Sequence, residues 1–151
     1  ATAFSAVVNG GYYHTPYVVS GTLENGEIVP LDRPEAINEQ IISSDTSATM
    51  RDMLINNRDY KVRNGIDREG YDVGGKSGTA QVVVNGAYDD TYAELVGSYI
   101  GFVSPAGEMP QYVIMTKLWG KGQSVASGDA MDLFDKISNF VEDYFQMKPN
   151  N

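Results

Sequence analysis

The sequence predicts an α+β fold, an antiparallel sheet of at least three strands packed by helices. Three observations carry that expectation. β-prone runs at Val73–Val84, Leu95–Val103 and Tyr112–Trp119 are separated by "NGAYDDTYAE" and "SPAGEMPQ", which are rich in turn residues. Short connections of this kind favour antiparallel neighbours. The stretch Asp129–Phe145 then repeats apolar residues at helical spacing, and 151 residues with 42% hydrophobic content suffice for one domain over 1–151.

Along the chain, "ATAFSAVVNGG" places Phe4, Val7 and Val8 at i, i+3 and i+4 before an Asn-Gly-Gly stop, as in the last turns of a helix. "YVVSGTLENGEIV" holds two short β-prone runs around Asn25-Gly26, a hairpin signal. Ser43 or Ser44 caps a helix with Asp45 in its first turn, Met50, Met53 and Leu54 on its apolar side, and an end near Asn56 or Asn57. The polar stretch "RDYKVRNGIDREG", Arg58 to Gly70, reads as a loop. In the last helix Leu133, Ile137, Phe140, Val141 and Tyr144 form the stripe expected to cover the sheet, with Asp129 and Asp132 at its start.

Composition excludes several classes of function. Eleven basic against twenty acidic residues give a net charge of −9, which repels nucleic-acid phosphates and anionic membrane surfaces. Cysteine is absent and His14 is the single histidine, so neither a thiolate nor a histidine metal cluster can form. No apolar run is long enough to span a membrane, and no signal segment opens the chain. Position 1 is alanine rather than methionine, which points to a cut before it.

"GYDVGGKSGTAQVVVNG", Gly70 to Gly86, admits two chemistries. Gly70–Ser77 matches the phosphate loop G-x-x-x-x-G-K-[ST]. That device needs a buried strand before it and a helix starting at its Lys-Ser, because the anion sits on free N–H groups at the helix end. Here a charged stretch precedes it and "GTAQVVVNG" follows, which is strand chemistry. As a strand, Lys76, Gly78 and Ala80 share one face and Ser77, Thr79 and Gln81 the other. A twist or bulge at the glycines lets Lys76, Ser77 and Thr79 converge on one groove. That groove offers an ammonium, two hydroxyls and backbone N–H groups to a carboxylate or an oxyanion.

"KSGTA" within "GYDVGGKSGTAQ" resembles the Lys-Ser/Thr-Gly strand of class B penicillin-binding protein transpeptidase domains. The likeness covers nearly the whole chain, to about Phe145. "AVVNGGYYHTPYVV" is similar to the family's helix-then-hairpin segment, "ISSDTSATMRDML" to the helix before the Lys-Ser/Thr-Gly strand, and "ELVGSYIGFVSPAGEMPQYVIMTKL" to the next two strands. The resemblance implies a penicillin-binding, serine β-lactamase-like fold, and a membrane-anchored parent enzyme acting outside the cytoplasm without a cofactor. That enzyme crosslinks peptidoglycan through a serine acyl-enzyme on D-Ala-D-Ala stem peptides and binds β-lactams. It further implies that Lys76 is the site's positive charge, that Ser77 and Thr79 hold the donor carboxylate, and that the Thr79 N–H is half of the oxyanion hole. The strand from Thr79 to Gln81, with Gly78 leaving room, pairs with the extended substrate.

The family's nucleophile motif Ser-x-x-Lys and its second motif Ser-x-Asn are both absent. The expectation is therefore the C-terminal portion of a transpeptidase domain, inactive alone, whose partner is the missing N-terminal half and whose anchor lies outside the chain. A loop "YKVRNGIDREG" stands where relatives carry small residues. A non-catalytic extracytoplasmic module that binds cell-wall peptides or a partner protein is the rival reading, followed by a penicillin-sensing receptor or β-lactamase. Elsewhere the plain readings prevail: His14 as a turn or surface residue, Trp119 as packing, Asp89 and Asp90 as a solvated connection, and Phe134, Phe140, Tyr144 and Phe145 as core.

Overall fold

A computed structural model describes residues 1–31, 38–58 and 67–150. In chain order these form α1 (Thr2–Val8), β1 (Tyr12–His14), β2 (Gly21–Glu24), β3 (Glu27–Pro30), β4 (Asn38–Gln40), α2 (Ser44–Arg58), β5 (Tyr71–Gln81), β6 (Val83–Val84), β7 (Ala87–Tyr88), β8 (Leu95–Pro105), β9 (Tyr112–Leu118) and α3 (Ser127–Tyr144).

The predicted class is the observed one. β5, β8 and β9 make an antiparallel sheet in that order, because each long β-prone run is joined to the next by a turn-rich segment. The register sets Lys76 opposite Ile100 and Ser77 opposite Tyr99, so alternate side chains of all three strands serve two separate cores. On one face Val73, Tyr99, Val103 and Ile114 pack against Ala130 and Phe134 of α3. On the other, Phe102 packs against Val8 of α1 and Leu54 of α2. The result is a sheet sandwiched between α3 and the α1–α2 pair.

Buried polar groups lock the helices in place. The Ser43 hydroxyl accepts from the Thr46 N–H at 3.1 Å and caps α2, one of the two serines expected to do so. Fully buried Ser47 donates to the Val7 carbonyl at 2.7 Å and accepts from the Gly10 N–H at 3.0 Å, tying α2 to the end of α1. The Asn25-Gly26 and Asn85-Gly86 pairs turn hairpins, with positive φ at all four residues. The β1–β4 pair, Tyr12–His14 with Asn38–Gln40, has no strong strand signature in the sequence.

Several expectations need correction. The 73–84 run is not one strand: β5 starts earlier at Tyr71, and the strand breaks at Val82 before the β6–β7 hairpin. α2 continues to Arg58, beyond the expected stop at Asn56 or Asn57. The loop expected over 58–70 falls mostly on 59–66, outside the described residues.

α3 begins two residues early, and its inward line is Ala130, Phe134, Ser138 and Glu142, with Met131, Ile137 and Val141 flanking it. Phe140 and Tyr144 instead stack on each other at 5.5 Å and are 62% and 67% exposed. Small Ala130 sets that phase. It lets the helix approach closely enough for the Thr116 hydroxyl to donate to the Ala130 carbonyl at 2.6 Å. Of the four aromatics expected in the core, Phe134 alone is buried; Phe145 stacks on Tyr112 at 4.4 Å and stays half-exposed.

Candidate functional site

β5 is an outer strand of its sheet, and its edge away from β8 pairs with no strand among the described residues. From Tyr71 to Gln81 every residue opposes one residue of β8 without interruption, so the bulge considered at the glycines is absent. Alternation therefore decides where the side chains go. Ser77, Thr79 and Gln81 turn to the α3 side, and Lys76 and Gly78 to the other. The structure joins Ser77 and Thr79 with the start of α3 and leaves Lys76 exposed across the strand.

Each polar group is held in a way that leaves capacity for a ligand. The Lys76 ammonium donates to the Ser77 carbonyl at 2.9 Å, using one of its three protons. Thr79 Oγ1 accepts from the N–H of Ser127, first residue of α3, at 3.3 Å. Its own proton is then directed elsewhere. Gln81 Nε2 donates to the Asp89 carbonyl at 2.9 Å, which fastens the far end of the strand to the following loop. The Ser98 hydroxyl donates to the Gly78 carbonyl at 3.2 Å, and a Cβ on Gly78 would come within 2.7 Å of that oxygen.

Behind Ser77 lies a recess of about 290 Å³ lined by Asn57, Arg58, Tyr99, Ser127, Gly128 and Met131. Its most constrained member is Arg58, which sequence reasoning had put in a loop. Arg58 is 2% exposed. Its Nε donates to Asp67 Oδ2 at 2.7 Å with a second bond from Nη2 to the same carboxylate, Nη2 also donates to Asp135 at 2.8 Å, and Nη1 donates to the Tyr99 hydroxyl at 3.4 Å. Burial by itself disfavours the charge, but the hydrogen bonds to Asp67, Asp135 and Tyr99 outweigh it and hold the guanidinium above its usual range. The one local signal was a basic residue where a helix could end, favourable to the helix dipole; Asp67, Tyr99 and Asp135 are too distant in sequence to be read with it.

The remaining expectations divide. His14 is exposed at the end of β1. Asp89 forms a local turn, accepting from the Thr91 hydroxyl and N–H, and those bonds hold its carboxyl below the usual range. Trp119 is not packing: it is 60% exposed, and its indole donates to Glu94 at 2.8 Å, whose other oxygen accepts from the Gly122 N–H at 2.8 Å.

A family model described as penicillin binding protein transpeptidase domain matches residues 1–139. The chain belongs to that family. The relatives of this transpeptidase-domain chain include stage V sporulation protein D of Bacillus subtilis, 38% identical over 118 residues and covering 74% of the chain. Another is penicillin-binding protein PbpB of Mycolicibacterium smegmatis, 32% identical over 93% of the chain. The chain spans 17% and 23% of the lengths of these two proteins.

Among solved structures, a peptidoglycan synthetase of Bifidobacterium adolescentis superposes with a TM-score of 0.75 at 18% identity, over 99% of the chain and 27% of its own length. Penicillin binding protein 3 of Mycobacterium tuberculosis, complexed with ampicillin, gives 0.73 at 23% identity, over 99% of the chain and 34% of its own length. At these identities the superpositions establish the fold: the transpeptidase-domain chain has the penicillin-binding architecture.

Proposed function

We propose that this chain supplies the carboxylate and oxyanion wall of a peptidoglycan transpeptidase, and that the nucleophilic serine belongs to a part of the domain outside these residues. The open edge of β5 carries the reading. It presents a lysine with protons to spare, the Ser77 and Thr79 hydroxyls on the α3 side, that of Thr79 anchored to α3, and a strand edge along Lys76–Gln81 that pairs with no other strand among the described residues. Family membership and the ampicillin complex of the mycobacterial protein support the same reading.

In the proposed reaction an extended stem peptide ending in D-Ala-D-Ala lies along this edge by strand addition. Its terminal carboxylate takes donors from Ser77 and Thr79, while the Lys76 ammonium, on the opposite face and folded back onto the Ser77 carbonyl, supplies countercharge from across the strand edge. A serine oxygen attacks the carbonyl between the two D-alanines, and the Thr79 N–H stabilises the oxygen that becomes negative. The C–N bond breaks and the terminal D-alanine leaves with a proton on its amine. The amine of a second stem peptide then attacks the acyl-enzyme, forms the crosslink and frees the serine. A β-lactam would enter the same groove through its own carboxylate and stop at the acyl-enzyme. The site would face the outside of the cytoplasmic membrane, where its polymer lies.

Labelling of the full-length protein by a fluorescent penicillin tests this. Wild type is expected to label stoichiometrically, and Lys76→Ala to slow labelling roughly 100-fold or more, the scale seen when one transition-state donor is removed. A wild-type protein that binds a D-Ala-D-Ala peptide but never becomes acylated would replace this reading with that of a binding module.

A further inference from the structure

We infer that Arg58 is a positioning residue for the Lys76–Thr79 strand, acting through the Tyr99 hydroxyl on the backbone at Gly75. The inference rests on the transpeptidase reading, since it concerns the same groove.

Arg58 ends α2 on one face of the sheet, yet its guanidinium lies among groups of the opposite face. It bonds Asp135 of α3 and the Tyr99 hydroxyl, and stands 5.5 Å from the Phe134 ring centre. To do so it must pass the edge of β5 just before Lys76. Asp67, a few residues ahead of β5, holds the same guanidinium through two hydrogen bonds. One buried cation thus joins the end of α2, the approach to β5 and the middle of α3.

Gly75 transmits this arrangement to the strand. A Cβ at this position would lie 2.5 Å from the Tyr99 hydroxyl oxygen and 2.6 Å from Cε1 of its ring. The phenol therefore rests directly on the Gly75 backbone, as only glycine permits. Tyr99 is 2% exposed and also contacts Phe134, with ring centres 4.8 Å apart, so it has little freedom to move. Arg58 fixes Tyr99, Tyr99 backs Gly75, and Gly75 sets the height of Lys76 and Ser77, which follow it. Ser77 itself opens onto the recess whose wall includes Arg58.

Without the guanidinium, Asp67 and Asp135 would repel each other across a vacated space, and the strand would lose its backing where the hydroxyls must be placed. Misplacement of about 1 Å in such a groove costs on the order of 100-fold in rate.

The test is the second-order rate of penicillin acylation of the full-length protein, normalised to the folded fraction by circular dichroism below the melting transition. Arg58→Met is expected to slow acylation at least tenfold, Arg58→Lys to recover part of that loss, and Tyr99→Phe, which removes only the hydroxyl, to slow it several-fold. Two results overturn the inference: both Arg58→Met and Tyr99→Phe acylating at the wild-type rate while only melting temperature falls, or, if Arg58→Met does not fold, Tyr99→Phe acylating normally. A wild-type protein that is never acylated would sink the transpeptidase reading and this inference with it. Normal wild-type labelling with unaffected variants would sink this inference alone.

Discussion

Glu142 shows how a single side chain can tie this fold to pH. It lies on the inward line of α3 and is 2% exposed, with Oε2 making no hydrogen bond. Arg68 Nη1 stands 3.3 Å from that oxygen, near enough for charge attraction but poorly directed for a bond. Burial dominates and raises the Glu142 carboxyl above its usual range, with Arg68 pulling the other way.

A carboxyl whose folded pKa exceeds its unfolded value binds its proton more tightly when folded. Its stabilising contribution is complete below the unfolded value and disappears as pH rises through the folded one. Glu142→Gln should therefore raise the melting temperature at pH 7 to 8, by an amount equivalent to about 1 kcal/mol. The gain should vanish as pH falls below about 4, under the ordinary carboxylate range. A pH-independent difference between the two proteins would show that the buried charge is not its origin. The strand character of "KSGT" was legible because it is local. Glu142 and Arg58 were not, since nothing local distinguishes a buried charge from a solvated one.

At the scale of elements, the strands could be read from β-propensity and turn chemistry, whereas the phase of α3 could not. Apolar residues occupy about half of its circumference, wider than the line that is buried, and the choice among them was made by small Ala130 and by the sheet opposite. The same close approach governs the start of the helix. A Cβ on Gly97 of β8 would lie 2.2 Å from the carbonyl of Ala126, the residue that caps α3. That contact is with backbone and cannot be relieved by a rotamer change. Gly97→Ala should destabilise the domain by about 1–3 kcal/mol, as overpacking usually does, and thermal unfolding would register it. An unchanged melting temperature would mean that α3 can begin elsewhere. Such a shift would also disturb the Ser127 N–H bond to Thr79.

For the whole molecule, the architecture was legible in the sequence. Ser-x-x-Lys and Ser-x-Asn do not occur in its 151 residues. The chain as an isolated polypeptide is expected to keep its mass when incubated with penicillin. A stoichiometric gain of one penicillin would show that one of its own serines is activated. The β2–β3 hairpin exposes Leu23 at 74% and Ile28 at 68%. Its existence was plain from Asn25-Gly26, while its lack of cover depends on packing that no local pattern encodes.

The Glu94 clamp has an optical consequence. Trp119 is the only tryptophan, and its indole and the Gly122 N–H share the two oxygens of one carboxylate beside the first residue of β8. Gln123, in the same loop, accepts the Leu95 N–H at 3.2 Å, and Leu95 opposes Gln81 at the end of the groove strand. All indole emission from these 151 residues therefore arises at one hydrogen-bonded point near the Gln81 end of β5, where any movement of that loop would change its colour and intensity.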